Sequence, residues 1–412
     1  MSKQIHTRFT DEQVKFLLDL YLKKALSLDQ ALQQLQCSKS RFFQLLKKYR
    51  TAPETFTITY PKRNAHHRLA LEIDNIIREE LEETRLLIQD PQIPVFNYNY
   101  AYTRDQVVKR IKQNISAQTV RNRAQKWGYY IPKANQPNKI SREVVTEAVG
   151  ILLQHDASYH KWSPFAEATW TLITTIEDYS RLLLYAELVE TETTWAHIQA
   201  VQAVILSYGV GLLYYVDSHS IFRLVRHRRS IWQYQRVGTD EALTQWRKVV
   251  ERCGMQVIYA LSPAAKGKVE RPFRWLQDRL VRQCARERVV KIEQCRPILA
   301  EEVKRYNEHQ VHSTTGEIPR IRYERALKEG RCCFKPFSLP PPYTSIKDVF
   351  CLHALRKVDS YNQINWLGEK ITLPHALKPG TEVELHIIPK NEQTEVRFWH
   401  KDRLLKVIYY KS

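Results

Sequence analysis

Three acids set the chemistry open to this chain. Asp156 closely follows the apolar run Ile151-Leu152-Leu153, and Asp217 directly follows Leu212-Leu213-Tyr214-Tyr215-Val216. Glu270 falls in the first turn of a helix entered through Lys266-Gly267-Lys268. Two aspartates at strand ends and one glutamate on a helix can converge on a pair of divalent metals. Two such ions about 3.5–4 Å apart stabilise the attacking and leaving oxygens of an in-line displacement at phosphorus. With 44 Asp and Glu in the chain, a single acid after an apolar run is a common accident. The argument rests on all three lying in one alternating block of strands and helices.

Charge points to the substrate. The chain of 412 residues carries 64 Lys and Arg against those 44 acids, a net charge of +20. Such an excess suits a polyanion, and nucleic acid is the commonest one. The first ten residues lack the apolar core of a secretory signal, and no apolar run is long enough to span a membrane. The seven cysteines are odd in number and none are spaced C-x-x-C, which fits reduced cytosolic thiols better than a disulfide framework or zinc knuckle. No G-x-x-x-x-G-K-[ST] loop is present, so ATP is not expected as an energy source or cofactor.

The elements that must position the acids lie between Ser141 and about Gly330. A first strand ending at Asp156 is followed by a hairpin, Trp170–Ile176 and Leu182–Leu188, turning at Glu177-Asp178. Turn chemistry accounts for those two acids better than metal binding does. Thr193–Tyr208 is helical with Trp195, Ile198, Val201 and Ile205 inward, and Gly209-Val210-Gly211 stops it. The Asp217 strand follows, then a helix capped by Asp240 and running to about Cys253, then a short strand at Gln256–Tyr259. The order β-β-β-α-β-α-β-α describes a mixed sheet flanked by helices. Trp162, Trp170, Trp195 and Trp275 are expected in the core, and His155, His160 and His219 in structural roles.

Two helix-turn-helix patterns precede this block. In residues 1–52, Phe42, Leu45, Leu46 and Tyr49 form the inner side of a helix capped by Ser38, with Lys39, Arg41 and Lys47 outside. A linker is expected over 53–66. In residues 67–134 an acidic helix, read as a brace, precedes a second such unit whose helix Ala117–Trp127 presents Gln118, Thr119, Arg121 and Asn122. The catalytic block is assigned 135–330, a stiff Pro-rich connector 331–345, and a small antiparallel barrel 346–412.

The text His155-Asp156-Ala157-Ser158, Ile176-Glu177-Asp178-Tyr179-Ser180-Arg181, Val216-Asp217-Ser218-His219 and Ser262-Pro263-Ala264-Ala265-Lys266-Gly267-Lys268-Val269-Glu270-Arg271 resembles the integrase core of DDE transposases and retroviral integrases. Bacterial insertion-sequence transposases of the ISNCY-like kind are the nearest in feel. Tyr306-Asn307, His312-Ser313 and Pro319 resemble the end of the same domain. The resemblance covers about 141–330. It implies a multidomain α+β protein: helix-turn-helix units, a central RNase H-like core with a mixed five-stranded sheet and flanking helices, and a C-terminal SH3-like β-barrel. It also implies Asp156, Asp217 and Glu270 as a triad holding two Mg²⁺, for which Mn²⁺ substitutes.

The activity implied is metal-dependent 3′-end cleavage and strand transfer on double-stranded DNA, element ends and target alike. A homo-oligomer on DNA and a cytoplasmic, nucleoid-associated location in a bacterium are expected with it. Lys266, Lys268, Arg271 and Arg274 are candidate phosphate clamps. Asp217 and Glu270 stand further apart than in retroviral integrases, and the extra residues include 223–236, with five Arg and no acid, read as a basic loop on DNA. A retroviral-type His/Cys zinc module is missing from the N-terminus. The competing readings are a non-enzymatic DNA-binding regulator or domesticated transposase, and an RNase H-like nuclease that cuts without joining.

Overall fold

The structure is a computed structural model of the chain. It describes residues 5–59, 69–132, 146–217, 221–222, 224–225, 241–242, 244–260, 267–390 and 393–411; for 224–225, 241–242 and 267–270 it describes the backbone alone. The chain divides into two compact units, Met1–Asp74 and Asn75–Ser412.

The first unit contains three helices, α1 (Asp11–Leu22), α2 (Leu28–Leu35) and α3 (Lys39–Thr51). Thr10 with Gln13, and Ser27 with Gln30, form reciprocal capping boxes at α1 and α2. Gln36 adopts a left-handed conformation (φ 45°), and Ser38 caps α3 by accepting from Arg41 N. Val14, Leu18, Ala31, Leu35, Phe42, Leu45 and Leu46 make one core. Part of the expected 53–66 linker belongs to that core. Phe56 and Ile58 are buried in it, and Asp11 accepts from Ile58 N at 2.8 Å, because the β-branched run gives the unit an apolar cover.

The second unit begins with most of α4 (Leu71–Gln89), followed by α5 (Tyr100–Ile111) and α6 (Ala117–Lys126). The acidic α4 is a brace. Glu80 pairs with Arg110 and Arg286, Glu83 with Arg286, and Glu82 accepts from Tyr129. The apolar residues Val107, Val108 and Ile111 predict one inward stripe for α5, but the buried face is more polar. It is Tyr102, Thr103, Asp105, Gln106 and Val107, because a buried arginine rather than an apolar surface meets it.

A five-stranded mixed sheet follows, built from β1 (Leu152–His160), β2 (Trp170–Glu177), β3 (Leu183–Val189), β4 (Leu213–Val216) and β7 (Gln256–Tyr259) in the order β3-β2-β1-β4-β7. Two-residue strands β5 (Leu224–Val225) and β6 (Glu241–Ala242) pair with each other. Strands β1, β2 and β3 run antiparallel, whereas β4 is parallel to β1 and to β7. The helix α7 (Thr194–Tyr208) makes the crossover that parallel pairing needs.

A correction concerns β1. It does not end at Asp156 but continues to His160, since β2 pairs with it residue for residue from Leu153↔Glu177 to His160↔Trp170. Asp156 is therefore mid-strand. A second correction concerns α8 (Gln245–Arg252), which is capped by Thr244; Asp240 lies outside the described residues.

Helices α7 and α8 cover one sheet face around Leu153, Ile198, Val201, Tyr214, Val216 and Trp246. On the other face lie α9 (Gly267–Arg286) and α10 (Ile292–Glu308), around Trp162, Trp170, Leu172, Ile176, Leu276, Leu280 and Leu299. Trp195 and Trp275 are half-buried beside these cores. Asn307 of α10 ties itself to β3, accepting from Leu183 N and donating to Leu183 O, both at 2.9 Å. Pro319 opens α11 (Pro319–Lys328), where its missing N–H costs nothing.

Gly209, at φ +101°, ends α7 where residue 335 crosses it; a Cβ there would stand 2.6 Å from Lys335 O. The expected stiff connector is thus laid onto the core, with Phe334, Phe337, Leu339 and Tyr343 packed against the α7/α8 side.

The C-terminal strands are β8 (Leu352–Lys357), β9 (Gln363–Trp366), β10 (Glu369–Thr372), β11 (Glu382–Ile388), β12 (Gln393–His400) and β13 (Arg403–Lys411). Each overlaps a strand that the sequence predicts, at Leu355–Val358, Gln363–Trp366, Lys370–Leu373, Val383–Ile388, Glu395–Trp399 and Leu404–Tyr409. They form a four-stranded antiparallel sheet, β13-β12-β11-β8, and a β9–β10 hairpin. Both contribute to one core, including Ile364, Trp366, Ile371, Val383, Leu385, Val396 and Phe398. Among the described residues the ladders form two separate sheets, with no closed barrel between them.

Candidate active site

Strand parity and register determine where the acids lie. Residues Leu153, His155 and Ala157 of β1 face α7 and α8, with Leu153 in the α7/α8 core, His155 against His197 and Ala157 beside Ala196 and Ala200. Alternation puts Asp156 on the opposite face, together with Ser158. Ser158 Oγ accepts from Gln277 Nε2 of α9 at 3.3 Å, so α9 covers that face. In β4, Tyr214 and Val216 enter the α7/α8 core, so Tyr215 and position 217 face the other way. The parallel register pairs Leu152↔Leu213 through Gln154↔Tyr215. Continued by two residues, that register would set Asp156 level with position 217, just past the end of β4; neighbouring strands are about 4.8 Å apart. Asp156 and Asp217 are both half-buried.

Position 270 enters from the helix. It is seven residues before Gln277 and therefore on the same face of α9. The helix runs in the sense of β1, because Gln277 meets Ser158 while Val289, just beyond α9, accepts from Ser163 Oγ at 2.5 Å. Going back from Gln277 to position 270 (about 10 Å) and from Ser158 to Asp156 (about 7 Å) moves in one direction. The backbone thus puts position 270 of α9 and Asp156 of β1 toward the same end of the β1–α9 contact. Gln277 and Ser158 were not singled out in the sequence, although the i, i+7 spacing to Glu270 was a usable signal.

The donors fit a hard cation. Three carboxylates and no sulfur or imidazole suit Mg²⁺ or Mn²⁺. His155, next to Asp156, points away from this face. Its ring lies 2.8 Å from Thr175 Oγ1 and 2.8 Å from His197 Nδ1, and His197 Nε2 is 3.0 Å from Glu192. It stacks on Trp246 at 5.8 Å, so it anchors the strand beside Asp156. The structural role expected of His155 holds.

Glu177 and Asp178 are saturated by their turn. Glu177 accepts from Ser180 N (2.7 Å), Ser180 Oγ (2.5 Å) and Tyr179 N (3.1 Å), although burial pushes its carboxyl up. Asp178 accepts from Gln154 at 2.7 Å and pairs with Arg181 at 3.0 Å.

The expected cations fall into three groups. Arg271 and Arg274 are exposed on α9, and Arg271 donates to Thr314 Oγ1. Lys268 is on α9 by its backbone, while Lys266, His219 and nearly all of 223–236 lie outside the described residues. On α6, Gln118, Arg121 and Asn122 are exposed and Thr119 is half-buried; Gln118 donates to Asn122 at 2.7 Å and Arg121 lies over the Tyr130 ring at 5.6 Å. On α3, in the other unit, Lys39 and Lys47 are exposed and Arg41 is half-buried.

The loop beside Arg271 holds His312, whose Nδ1 accepts from Thr314 N at 3.3 Å. Burial, then the nearby Arg181, Arg271 and Arg322, lowers its pKa from 6.5 to about 4. The folded protein therefore holds this ring neutral. Its stabilising contribution is complete above pH 6.5 and is lost as pH falls from there toward 4. Unfolding followed against pH is expected to show wild type losing stability over that window more steeply than His312→Asn. Parallel curves would show that the ring does not titrate as described.

A mixed five-stranded sheet with helices on both faces defines the class: an α/β core. Its sequence relatives bear transposase names. The chain is 25% identical over 259 residues to a putative transposase, y4bF, of Sinorhizobium fredii (strain NBRC 101917 / NGR234), covering 63% of this chain and 52% of that protein. It is 26% identical over 181 residues to the transposase for insertion sequence IS1202 of Streptococcus pneumoniae, covering 43% of this chain and 36% of that protein. The matches thus span about half of one relative and about a third of the other.

No family model matches the chain. Solved structures with some likeness include a simian T-cell lymphotropic virus intasome in complex with PP2A regulatory subunit B56 gamma (TM-score 0.34, 11% identity, 74% of this chain and 94% of that one). Another is the HTLV-2 integrase catalytic core domain in complex with magnesium in its trimeric form (TM-score 0.31, 15% identity, 42% of this chain and 96% of that one). Among the described residues no helix is long and apolar enough to cross a membrane.

Proposed function

We propose that this protein is a DDE transposase of the integrase superfamily, with an RNase H-like core that cleaves 3′ ends of a mobile DNA element and joins them to target DNA. The observation that supports the reading is the parallel β1–β4 register, which ends two residues before Asp156 and Asp217, with α9 covering the Ser158 side of β1. Similarity to curated transposases supports it.

In this reading Asp156, Asp217 and Glu270 would together hold two Mg²⁺, for which Mn²⁺ would substitute. Bound there, the metals supply an activated water or 3′-hydroxyl and neutralise the leaving oxygen. The chain's own part is to hold the acids rigid, through the His155–Thr175 anchor on one side of β1 and the Ser158–Gln277 contact on the other. Arg271, Arg274, Lys266 and Lys268 hold the scissile or target phosphate. Each joining step exchanges one phosphodiester for another, so no nucleotide cofactor is needed.

The helix-turn-helix reading of α2–α3 and α5–α6 assigns binding of the element ends. Lys39, Arg41 and Lys47 contact phosphate, and Gln118, Thr119, Arg121 and Asn122 face the major groove. The C-terminal sheet and hairpin, which share one core and among the described residues do not close into a barrel, are read as an SH3-like module. The protein acts as a homo-oligomer on DNA, since two ends must meet one target, and works in the bacterial cytoplasm at the nucleoid.

The test is joining. Purified protein with Mg²⁺, labelled element ends and a target plasmid is expected to yield covalently joined products. Cut ends without joined product would instead establish a nuclease. Binding to any duplex is expected to weaken about 10³–10⁵-fold between 50 and 200 mM salt, as for six to ten neutralised phosphates. A flat salt response would contradict the polyanion argument.

A further inference from the structure

The C-terminal sheet contains a second cluster of metal-ligand side chains, remote in type from the carboxylates. Cys351 and His353 are two residues apart at the start of β8. His353 is paired in register with His386 of β11. One ligand atom from each of Cys351, His353 and His386 lies within 4.8 Å of the other two, and all three residues are buried. Cys351 Sγ is 3.6 Å from His353 Nε2. The two imidazole rings meet edge to face, 4.9 Å between centroids.

Each imidazole is backed by a carboxylate. His386 Nδ1 lies 3.2 Å from Asp348 Oδ1, and Asp348 is itself fixed by Arg397 (2.7 and 3.0 Å) and Trp399 Nε1 (2.8 Å). His353 Nδ1 lies 2.8 Å from Glu384 Oε1, off the line that a hydrogen bond requires. A carboxylate behind a histidine is the support that metal-binding imidazoles use to fix ring orientation and raise basicity. The completely buried ring of His386 leaves Nε2 without a hydrogen-bond partner, with Glu384 Oε2 facing it at 3.6 Å, beyond hydrogen-bond reach. Buried polar atoms are nearly always paired, so an unpaired one calls for an explanation.

We propose that Cys351, His353 and His386 form a binding site for a divalent transition metal of the zinc class. One sulfur and two imidazole nitrogens are a donor set for such an ion rather than for Mg²⁺. Three protein ligands leave a fourth position for water or an added ligand. Without metal, the thiol donates to Asp348 O at 3.6 Å, and Arg252 Nη1 sits 3.3 Å from His353 Nε2. Arg252 also faces Glu384 at 3.6 Å, and metal binding moves it off His353 toward that carboxylate.

The site has a structural consequence. Gln245 of α8 exchanges hydrogen bonds with the His353 backbone at 2.8 and 2.7 Å, and Val349 and Phe350 enter the α7/α8 core. A metal here would lock β8 and β11 together at the point where the C-terminal sheet meets the catalytic core.

The test uses the full chain, stripped of metal under reducing conditions and titrated with Co²⁺ alone. The expected result is one equivalent bound with a sulfur-to-cobalt charge-transfer band. That band is expected to disappear in Cys351→Ser and persist in Cys333→Ser. The carboxylate site contributes no such band, so Co²⁺ bound there is distinguished by its spectrum. Glu384→Gln, which keeps all three ligands, is expected to weaken Co²⁺ binding about 10–100-fold. No sulfur signature at stoichiometric Co²⁺ in folded wild-type protein, or a band that survives in Cys351→Ser, would overturn the proposal.

Discussion

Asp156→Asn is expected to lower metal-dependent DNA cleavage at least about a thousandfold while leaving the protein folded and able to bind DNA. The size follows from what the ligand does. Metal stabilisation of transition-state charge is worth several kcal/mol, and each 1.36 kcal/mol is about tenfold in rate. Asp156 is one of the three acids assigned to the metal site. The fold is expected to tolerate the change. Asp156 is half-buried in mid-strand, with β2 paired along its whole length, so the amide keeps the backbone ladder intact. Cleavage rate, duplex binding and thermal unfolding measured on one preparation check this. A variant that cleaves at near wild-type rate would remove Asp156 from the metal site, and one that fails to fold would assign it a structural role.

Arg279→Ala is expected to cost about 3–5 kcal/mol of stability, the usual result of removing one partner from a buried ion pair. Arg279 is 1% exposed, with its guanidinium 2.6 Å from Asp105 of α5 and 2.5 Å from Glu302 of α10. It also lies over the rings of Trp275 (4.8 Å) and Tyr102 (5.3 Å). Three helices therefore meet on one cation. Removing it leaves two buried carboxylates answered by Arg305, at 3.5 and 3.7 Å, and, for Asp105, by Arg104 at 3.0 Å. Arg279→Lys is expected to lose less, since the charge stays and only the planar fork goes. Denaturant unfolding followed by tryptophan fluorescence measures both. A loss below about 1 kcal/mol for the alanine variant would mean that Arg104 and Arg305 suffice for the two carboxylates.

These two residues also show what the sequence makes legible. Asp156, Asp217 and Glu270 stand out as candidates because each follows a local signal, an apolar run or a helix start. The hairpin at Glu177-Asp178 and the six C-terminal strands were legible for the same reason, since turn residues and alternation are read within a few positions. Arg279 was not. Its partners are 174 and 23 residues away, and an arginine on an otherwise basic helix reads as a solvated charge until the fold buries it.

The extent of β1 beyond Asp156 was hidden in the same way. Ser158-Tyr159-His160 lacks apolar character, and only pairing with the buried β2 keeps it extended. Phe56 and Ile58 were read as linker because two residues offer no period. The Cys351, His353 and His386 cluster escaped a search for C-x-x-C because its ligands come from two strands brought into register 33 residues apart. Glu384 and His386 repeat the two-residue spacing on the partner strand, a signal that becomes visible only once the strands are paired.

The most direct measurement takes a plasmid carrying the DNA that flanks this gene and incubates it with full-length protein and Mg²⁺ or Mn²⁺. Ends are mapped to the nucleotide for wild type and Glu270→Gln. The account predicts 3′-hydroxyl ends at a defined repeat, dependent on metal, absent with Glu270→Gln, and alongside unchanged binding of that repeat by the variant. Equal cleavage by both proteins would contradict the assignment of Glu270 to the metal site, and tight binding without cleavage by either would replace the transposase with a DNA-binding regulator.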